Sequence, residues 1–471
     1  MRGVYNSVTD MRRKIFSAIA DMAYRDDVNY EQRMEQIPYE ILPGNNENVF
    51  LERAICGERL RLGMGLPLRD VSEAGTISDG IDKTIQPEKY YDAPLINIIK
   101  FACNACPEKK VVVTDNCQGC FSHQCTEVCP KKCIKIVNGR SLINQDECIK
   151  CGRCAEACPY HAIIKMERPC AVSCGMNAIS SDENGRAQIN YDKCVSCGQC
   201  LVNCPFGAIV DKGQIFQTIY AMKQGYDVIA CVAPAFVGQF GPKVTPDKVT
   251  NALKELGFAD VVEVAIGADM CTIDEAEDFL KKVPNELDFM ATSCCPAWSV
   301  MAKKEFPQFE KNISMALTPM VLTARWVKKQ HPDAKVVFIG PCAAKKLEAS
   351  RRSIRSDVDF VLTFEEVMGM FQAKGIELDQ ITTDDTNFNE GTKAGRQFAI
   401  TGGVANSVKE LINKNHPEVE VKIQAAEGLK NCKTMLMMAK AGRLNGYLLE
   451  GMGCPGGCVG GAGTLQPIPK S

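Results

Sequence analysis

Two stretches decide how the first half of this chain folds: CIKCGRCAEACP at residues 148–159 and CVSCGQCLVNCP at residues 194–205. Both have the spacing C-x2-C-x2-C-x3-C-P. Disulfide frameworks are typical of small secreted domains, and zinc sites usually show two separate C-x2-C pairs. The spacing therefore predicts [4Fe-4S] cubes, in which three neighbouring thiolates hold one cube and the fourth reaches across to the next. The predicted ligands are Cys148, Cys151, Cys154, Cys158, Cys194, Cys197, Cys200 and Cys204.

Seventeen of the chain's 26 cysteines lie between Cys103 and Cys204, which predicts further cubes in the same region. Four cubes with four thiolates each would use all but one of them. Cys133 is the natural leftover. His123 could replace one cysteine as a ligand, but a surface or core histidine is the preferred interpretation. The layout resembles two bacterial ferredoxin folds in tandem and predicts four accessory cubes, with three as the alternative. The additional ligands form one further run and two half-runs: Cys117, Cys120, Cys125 and Cys129; Cys103 and Cys106; Cys170 and Cys174.

Composition and charge argue against several classes of partner. The net charge is −2 over 471 residues, without the basic stripe that is typical of nucleic-acid binding. No window approaches the roughly 18 consecutive apolar residues of a membrane span. Arg12 and Arg13 are not followed by an apolar stretch of export-signal length. Because thiolate ligands need a reducing compartment, we expect a cytoplasmic protein.

The chain divides by sequence pattern into three predicted parts. Residues 1–98 contain one cysteine and begin with an amphipathic helix, so we expect a helical docking or capping region. Residues 99–212 form the ferredoxin-like [4Fe-4S] region. Residues 213–471 alternate short apolar runs with helical patterns, which predicts an α/β domain with parallel sheets, and the fold class is multidomain α+β and α/β. The apolar positions of the first helix are Val4, Val8, Met11, Ile15, Ile19 and Met22; strands are predicted at 228–232 and 336–339, and helices at 245–256 and 364–374.

A second set of cysteines comes from three distant segments of the α/β part: TSCCPAW at 292–298, PCAAK at 341–345 and EGMGCPGGC at 450–458. Each thiol alone is compatible with a small buried apolar residue, but the three segments together are not explained that way. Gly456 and Gly457 suit a loop whose backbone approaches a bulky group closely. Cys295, Cys342, Cys454 and Cys458 therefore make up a predicted ligand set for one more cube.

These segments resemble the three signature segments of the [FeFe]-hydrogenases, over the chain from about residue 100 to its end. The resemblance implies an H-cluster: a [4Fe-4S] cube joined through one thiolate to a two-iron unit, which carries carbon monoxide, cyanide and a bridging dithiolate amine. By motif position, Cys295, Cys342 and Cys454 would hold the cube, and Cys458 would bridge to the two-iron unit. Maturation proteins would supply that unit.

The resemblance also implies roles around the two-iron unit. Lys345 would hydrogen-bond one cyanide, and Met452 would pack near the bridging carbonyl. Pro234 and Ala235 would belong to the backbone segment that faces the other cyanide. A fixed ammonium beside an anionic ligand tunes a metal centre from outside its ligand shell.

A proton route is implied in the same way. Adjacent side chains point in different directions, so Cys294 and Cys295 are not both expected on one cube, and in the family the first of the pair relays protons. A thiol suits this because its pKa can be brought near neutrality. The route would continue through Glu275 and Ser314 to Asp278, where a glutamate is usual. Without the resemblance, the two acids would be interpreted as surface charges, three residues apart on one helix face.

Several positions depart from the best-studied members of the family, including the glycine run at 460–467, which is slightly longer than usual. Gly340 stands where they have methionine, Met320 stands near the place of a glutamine, and Cys271 is an extra thiol beside the relay. These departures resemble the group B monomeric enzymes. They leave the predicted ligands unchanged.

The resemblance implies reversible oxidation of dihydrogen to protons and electrons. Accessory cubes would relay the electrons to or from a ferredoxin or similar soluble carrier. The alternatives are a hydrogen sensor and an iron–sulfur assembly relative without turnover. A sensor usually adds a regulatory domain, and assembly relatives tend to lose the surroundings of the two-iron unit, whereas Cys294, Lys345 and Cys458 are present here.

Overall fold

The computed structural model describes residues 5–26, 28–44, 47–70, 72–351, 356–382 and 391–470. Its N-terminal region is helical, as predicted, and Val4 lies outside the described residues. Asn6 caps the first helix by accepting the backbone N–H groups of Val8 and Thr9, which would otherwise lack partners. The helices are Ser7–Tyr24, Tyr30–Ile41 and Val49–Gly63.

The first helix packs as part of the α/β core. Its buried residues Ile15, Phe16, Ile19 and Met22 share one apolar cluster with the sheet strands of the α/β part. The first helix lies close to the Phe364–Lys374 helix at Gly369, where a Cβ would be only 2.4 Å from Phe16 Cβ. The expectation of a docking or capping region therefore corresponds to direct packing on the α/β domain.

The iron–sulfur region contains two ferredoxin-like units, and one is inserted into the other. The inner unit is closed by antiparallel pairing of Lys110–Val113 with Ile163–Met166, and the outer unit by pairing of Ile96–Ile98 with Ile209–Asp211. Each unit also holds one hairpin, Ile134–Val137 with Arg140–Ile143 and Ile179–Ser181 with Ala187–Ile189. Short helices carry some of the cysteines: Gln124–Glu127, Arg153–Ala157, Pro169–Val172 and Gln199–Val202.

This insertion explains the two half-runs of the sequence. Cys106 and Cys170 stand on either side of the inner unit, so the outer unit's first run is interrupted by the whole of residues 110–166. The prediction of two ferredoxin-like units is confirmed, and the structure adds that they are nested. Residues Ile96–Ile98, at the end of the predicted N-terminal part, hydrogen-bond into the outer unit.

The α/β part contains two parallel sheets, as the alternating pattern predicted. The strand order in the larger sheet is Asp260–Glu263, Val228–Val232, Lys335–Gly340, Phe360–Thr363, and in the smaller sheet Met290–Ala291, Tyr447–Met452, Lys422–Glu427. The helices are Ile215–Lys223, Pro246–Glu255, Ala265–Lys282, Pro296–Glu305, Pro319–Gln330, Ala343–Ser350, Phe364–Lys374, Lys393–Gln397, Gly403–Asn415 and Leu429–Lys440.

A buried ionic cluster joins the outer ferredoxin-like unit to the α/β domain. Lys346 Nζ donates to the carboxylates of Asp211, at 2.8 Å, and Glu366, at 3.0 Å. The Lys346 side chain is only 2% exposed. Asp211 ends a strand of the outer unit, so this pairing fixes that strand against the helix that follows Cys342. Within the part of the chain that the structure describes, no helix has both the length and the apolar character needed to cross a membrane.

Candidate metal centre

The four cysteines of the α/β part meet because parallel strands end at one edge of each sheet. Cys342 follows the Lys335–Gly340 strand and begins a helix, and Cys295 follows Met290–Ala291 and begins another. Cys454 and Cys458 lie in the loop after Tyr447–Met452. Loops beyond the carboxyl ends of parallel strands are the usual ligand sites of α/β folds. The fold thus brings three distant segments together as the sequence predicted.

These cysteines surround a buried cavity of about 80 Å³. Its walls are almost wholly apolar apart from the thiols and one ammonium group. Among the described residues, no three His, Cys, Asp or Glu side chains are arranged to hold a single metal ion. Every residue predicted for the cube and the two-iron unit lines it: Cys295, Cys342, Cys454, Cys458, Cys294, Lys345, Met452, Pro234 and Ala235.

Burial makes the cavity unfavourable for free thiolates. It raises the pKa of Cys342 to about 11, and the nearby Cys295 adds to the rise. The pKa of Cys458 is raised as well, first by burial and then by Cys342 and Cys295. Thiols become ligands only as thiolates, so an electropositive metal group is needed to hold several of them here. The donor set and the dry cavity both suit an iron–sulfur group.

The loop that carries Cys458 depends on glycine. Gly457 has φ +91°, and a Cβ there would lie 2.7 Å from Thr401 N and 2.8 Å from Ile400 C. The sequence predicted a close approach to a bulky group, whereas the close neighbour of Gly457 is the protein's own backbone. Any side chain at this position would displace the loop.

The two adjacent thiols have different surroundings. Cys295 Sγ accepts a hydrogen bond from Gly453 N at 3.3 Å. Cys294 packs against the Ala265–Lys282 helix, beside Cys271, in an apolar cluster. Its pKa is raised, first by burial and then by the carboxyls of Glu275 and Glu450. Cys294 is therefore a buried thiol near Glu275 and Glu450. Cys295 instead contacts the loop that carries Cys454 and Cys458.

Glu275 is a fully buried carboxyl on the predicted helix. Its Oε1 accepts the backbone N–H of Ser293 at 3.3 Å, and its Oε2 has no hydrogen-bond partner among the described residues. Burial raises the pKa of Glu275 to about 8, although the Ser293 N–H and the Ser314 hydroxyl oppose the rise. A carboxyl group that titrates near neutral pH can donate a proton in its acid form and accept one in its carboxylate form.

Asp278 differs sharply from Glu275, although both are on one helix. Its side chain is 30% exposed and accepts a hydrogen bond from Lys282 Nζ at 2.7 Å. Ser314 is buried, and its hydroxyl accepts the N–H of Ala316 at 3.1 Å. Among the candidate relay residues, Glu275 and Ser314 are therefore buried, while Asp278 is partly exposed to solvent.

Lys345 is held in place by a carboxylate that the sequence reasoning did not single out. Its Nζ donates to Glu348 Oε2 at 2.6 Å and to the carbonyl oxygen of Cys294 at 3.3 Å. Thr318 donates to the other oxygen of Glu348. Burial lowers the pKa of Lys345, but Glu348 outweighs it, so the net pKa is raised and the ammonium stays charged.

The cysteines of the outer ferredoxin-like unit form two groups. Burial raises the pKa of Cys170 to about 11, with further rises from Cys204, Cys103 and Cys106. Burial likewise raises the pKa of Cys197 to about 12, and Cys174 and Cys194 add to it. Each group takes its fourth member from the other run, as cube ligands do in two-cluster ferredoxins. The first group contains Cys103, Cys106, Cys170 and Cys204. The second group contains Cys174, Cys194, Cys197 and Cys200.

The second of these groups adjoins the cavity. Gln199 Nε2 donates to Cys454 Sγ at 3.1 Å, and Cys197 is close enough to Cys295 for their charges to interact. Glycine at position 198 allows this run to lie close to the cavity loop. Its φ is +76°, and a Cβ there would lie 2.5 Å from Ala462 Cβ. The sequence contained no signal for Gln199, because the contact joins positions far apart in the chain.

The inner unit also brings its cysteines together. A small cavity there is lined by Cys129, Cys148, Cys151 and Cys154, with Cys133 as a fifth thiol. Near it, Ser141 lies 3.2 Å from Cys125 Sγ, and its backbone also lowers the pKa of Cys117. Cys120 and Cys158 are half-buried members of the same unit. His123 is half-buried beside the Gln124–Glu127 helix.

Sequence reasoning missed a second buried acid near the cavity. Glu450 is fully buried, and its carboxylate accepts N–H groups from Gly402 and Ala405 at the start of the Gly403–Asn415 helix. Burial raises its pKa to about 7. Its charge contributes to the raised pKa of Glu275. The available signal was a single acid within the apolar run YLLEGM at 447–452.

Comparison with known families agrees with this geometry. The model of the iron-only hydrogenase large subunit, C-terminal domain, matches residues 226–462. The model of the 4Fe-4S binding domain matches residues 142–164 and 187–210.

Individual relatives are distant. Iron hydrogenase 1 of Clostridium pasteurianum is 28% identical over 457 residues, covering 84% of this chain and 77% of its own length. Cytosolic iron-sulfur assembly component 3 of Pongo abelii is 26% identical, covering 48% of this chain and 59% of its own length. A solved apo [FeFe]-hydrogenase from Chlamydomonas reinhardtii has 23% identity and a TM-score of 0.42, covering 51% of this chain and 80% of that one.

Proposed function

This chain belongs to the iron-only hydrogenase large-subunit family, and we propose that it catalyses the reversible oxidation of dihydrogen to protons and electrons. The observation that carries the proposal is the single dry cavity in which four cysteines meet Cys294, Lys345 and Met452. Gly340 and Met320 depart from the best-studied members of the family, and because these departures resemble the group B type we assign the chain to it.

The cavity residues suit an H-cluster. In this proposal Cys295, Cys342 and Cys454 would hold a [4Fe-4S] cube, and Cys458 would also hold the two-iron unit delivered by maturation proteins. When bound, that unit would supply the site at which dihydrogen is formed or split. Lys345, charged and fixed by Glu348, would present an N–H donor to one of its cyanide ligands. Met452, Pro234 and Ala235 complete walls that exclude water.

The proton route runs through this chain's own side chains. Cys294 exchanges protons with the cavity, and Glu275 exchanges them with Cys294. The raised pKa of Glu275, about 8, supports this because the carboxyl carries a proton near neutral pH. Ser314 links the buried acid onward, and the half-exposed Asp278 passes protons to solvent.

Four accessory cubes, when bound, would carry the electrons in our proposal. Cys174, Cys194, Cys197 and Cys200 would hold the one next to the cavity, which the Gln199 contact to Cys454 supports. Cys103, Cys106, Cys170 and Cys204 would hold a second cube, and the cysteines of the inner unit would hold two more.

Exchange with a ferredoxin or similar carrier takes place at the inner unit. Residues 110–166 carry eight Lys and Arg and five Asp and Glu, whereas the whole chain has a net charge of −2. Cys151 is exposed there. Opposite charges steer electron-transfer partners together. We also propose a cytoplasmic location, since so many thiolate ligands need a reducing compartment.

A second candidate function is iron–sulfur assembly, favoured by the match to the assembly component from Pongo abelii. Infrared spectroscopy on protein matured with the two-iron unit separates the two. Bands of metal-bound carbon monoxide and cyanide that shift under dihydrogen, together with turnover in a hydrogen-evolution assay, would support the hydrogenase. Such bands without turnover would favour a hydrogen sensor. Intact iron–sulfur absorbance without the bands would favour assembly.

A further inference from the structure

The four cysteine runs of the iron–sulfur region end alike, with one exception. In each run, the fourth residue after the last cysteine is small and is followed by isoleucine. Alanine occupies this position in three runs, and cysteine occupies it in the fourth. The pairs of last cysteine and small residue are Cys158 with Ala162, Cys174 with Ala178, Cys204 with Ala208, and Cys129 with Cys133.

This position is buried in every copy. Ala162, Ala178 and Ala208 are 1%, 3% and 1% exposed, and Cys133 is 3% exposed. In one copy the backbone of the small residue touches the preceding ligand, since Ala178 N donates to Cys174 Sγ at 3.3 Å. A sulfur added at this position therefore lies among the thiols of its unit.

The Cys133 sulfur stands beside Cys129. Its Sγ lies 3.5 Å from Cys129 Sγ, and both line the small cavity with Cys148, Cys151 and Cys154. Two thiolates that each bind one tetrahedral metal at about 2.3 Å lie roughly 3.7 Å apart. The observed separation thus matches two sulfurs that can reach the same iron.

We propose that Cys133 is a spare ligand of the cube in this cavity, able to replace Cys129 on the same iron. In the exchange the incoming Cys133 thiol gives up a proton, the departing Cys129 thiolate takes one up, and no electron is transferred. The inference rests on the proposed accessory cube of the inner unit, and it does not depend on hydrogen turnover.

Iron content of the purified full-length chain, after anaerobic reconstitution, tests the proposal. We expect Cys129→Ala to keep its iron, while the double variant Cys129→Ala/Cys133→Ala loses about four irons per chain. The matched control is Cys174→Ala, the equivalent cysteine beside an alanine, which should lose about four irons as a single variant. If that control does not fold, Cys151→Ala in the same cavity replaces it.

Two results would overturn the proposal. Cys129→Ala could lose as much iron as the double variant, so that Cys133 binds nothing. The double variant could instead keep all its iron, so that these thiols hold no cube at all. Electron paramagnetic resonance of reduced Cys129→Ala should also show one cube with an altered signal and the others unchanged. A failure of the proposed hydrogenase activity would appear in the infrared bands and not in these iron counts.

Discussion

At the scale of single residues, burial separates side chains that look alike in the sequence. Glu275 and Asp278 are acids three residues apart on one helix, yet only Glu275 is removed from water. An ionised carboxylate loses its hydration there, so the proton stays bound to higher pH. Cys294 and Cys295 are neighbours in the same way, and packing directs one to the acids and the other to the cysteine loop.

Glu275→Gln tests the role of the buried acid through the pH dependence of stability and through the rate of hydrogen evolution. The folded state holds the Glu275 proton up to about pH 8, against 4.5 for the ordinary group, so wild-type stability should fall as pH rises through that window. The slope is at most about 1.4 kcal/mol per pH unit. Glutamine removes this slope, because it does not titrate. It should also lower hydrogen evolution about 100-fold.

Unfolding midpoints and evolution rates measured between pH 5 and 9 check both effects. Asp278→Asn is the control for stability, since it removes a carboxylate of the same helix that is partly exposed. A Glu275→Gln variant with a wild-type rate would exclude Glu275 from the proton route.

Cys294→Ala tests whether the Cys294 thiol transfers protons. The variant should retain the infrared bands and iron content, because Cys294 is not among the proposed ligands, while turnover falls by about 100-fold or more. Cys56→Ala is the matched control, a buried cysteine in the Val49–Gly63 helix. Unchanged turnover in Cys294→Ala, with the cluster bands intact, would show that protons reach the cavity by another route.

At the scale of elements, the ends of strands and the beginnings of helices bring the residues of the cavity together. Cys295 and Cys342 each stand at the first turn of a helix that follows a parallel strand, and Lys345 and Lys346 follow on the second of these helices. Consecutive lysines point in different directions on a helix, so Lys345 reaches the cavity and Lys346 reaches the outer ferredoxin-like unit. One helix therefore contributes to both the cavity and the domain interface.

Lys346→Ala should loosen that interface. It leaves the carboxylates of Asp211 and Glu366 buried without their cation, which costs about 3–5 kcal/mol. Chemical denaturation of the reconstituted chain measures the loss. Lys14→Ala is the control, since it breaks an exposed pair with Asp10 and should cost less than about 1 kcal/mol. Equal shifts in the two variants would mean that the buried cluster adds no stability.

At the scale of the whole molecule, the two nested units have different surroundings. The outer unit lies against the cavity through Gln199 and Gly198, and the inner unit extends from it with a surplus of positive charge. The ends of the inner unit are adjacent, because Lys110 pairs with Met166 across an antiparallel ladder. Such an insertion can be removed or altered without cutting the outer fold.

Replacing residues 110–166 by about three glycine and serine residues should preserve the outer unit, since paired positions of antiparallel strands lie only about 5 Å apart. Iron content should drop by about eight per chain, the content of two cubes. Hydrogen evolution with a small reduced dye should persist, while evolution driven by ferredoxin should fall. Loss of the infrared bands in this variant would show that the inner unit is needed to form the centre itself.

Charge reversal tests the docking surface without removing it. Lys131→Glu/Lys132→Glu changes two exposed lysines between Cys129 and Cys133 of the inner unit and should slow ferredoxin-driven turnover about tenfold at low salt, less at high salt. Dye-driven turnover should stay the same. Lys414→Glu/Lys440→Glu alters the net charge equally at exposed positions on the α/β domain. If the two double variants slow ferredoxin-driven turnover equally, the net charge of the protein governs the encounter, and the local charge of the inner unit does not.

The sequence by itself determined the ligand chemistry of this protein. The cysteine runs, the parallel α/β pattern and the three signature segments predicted the cubes, the fold class and the cavity residues, because ligand spacing within a run and strand or helix periodicity are local properties of the chain. Only the tertiary structure decided that one ferredoxin-like unit interrupts the other, that Glu275 is buried while Asp278 is not, and that Cys133 touches Cys129. Burial and contacts between distant segments depend on how whole elements pack, and no local spacing encodes that packing.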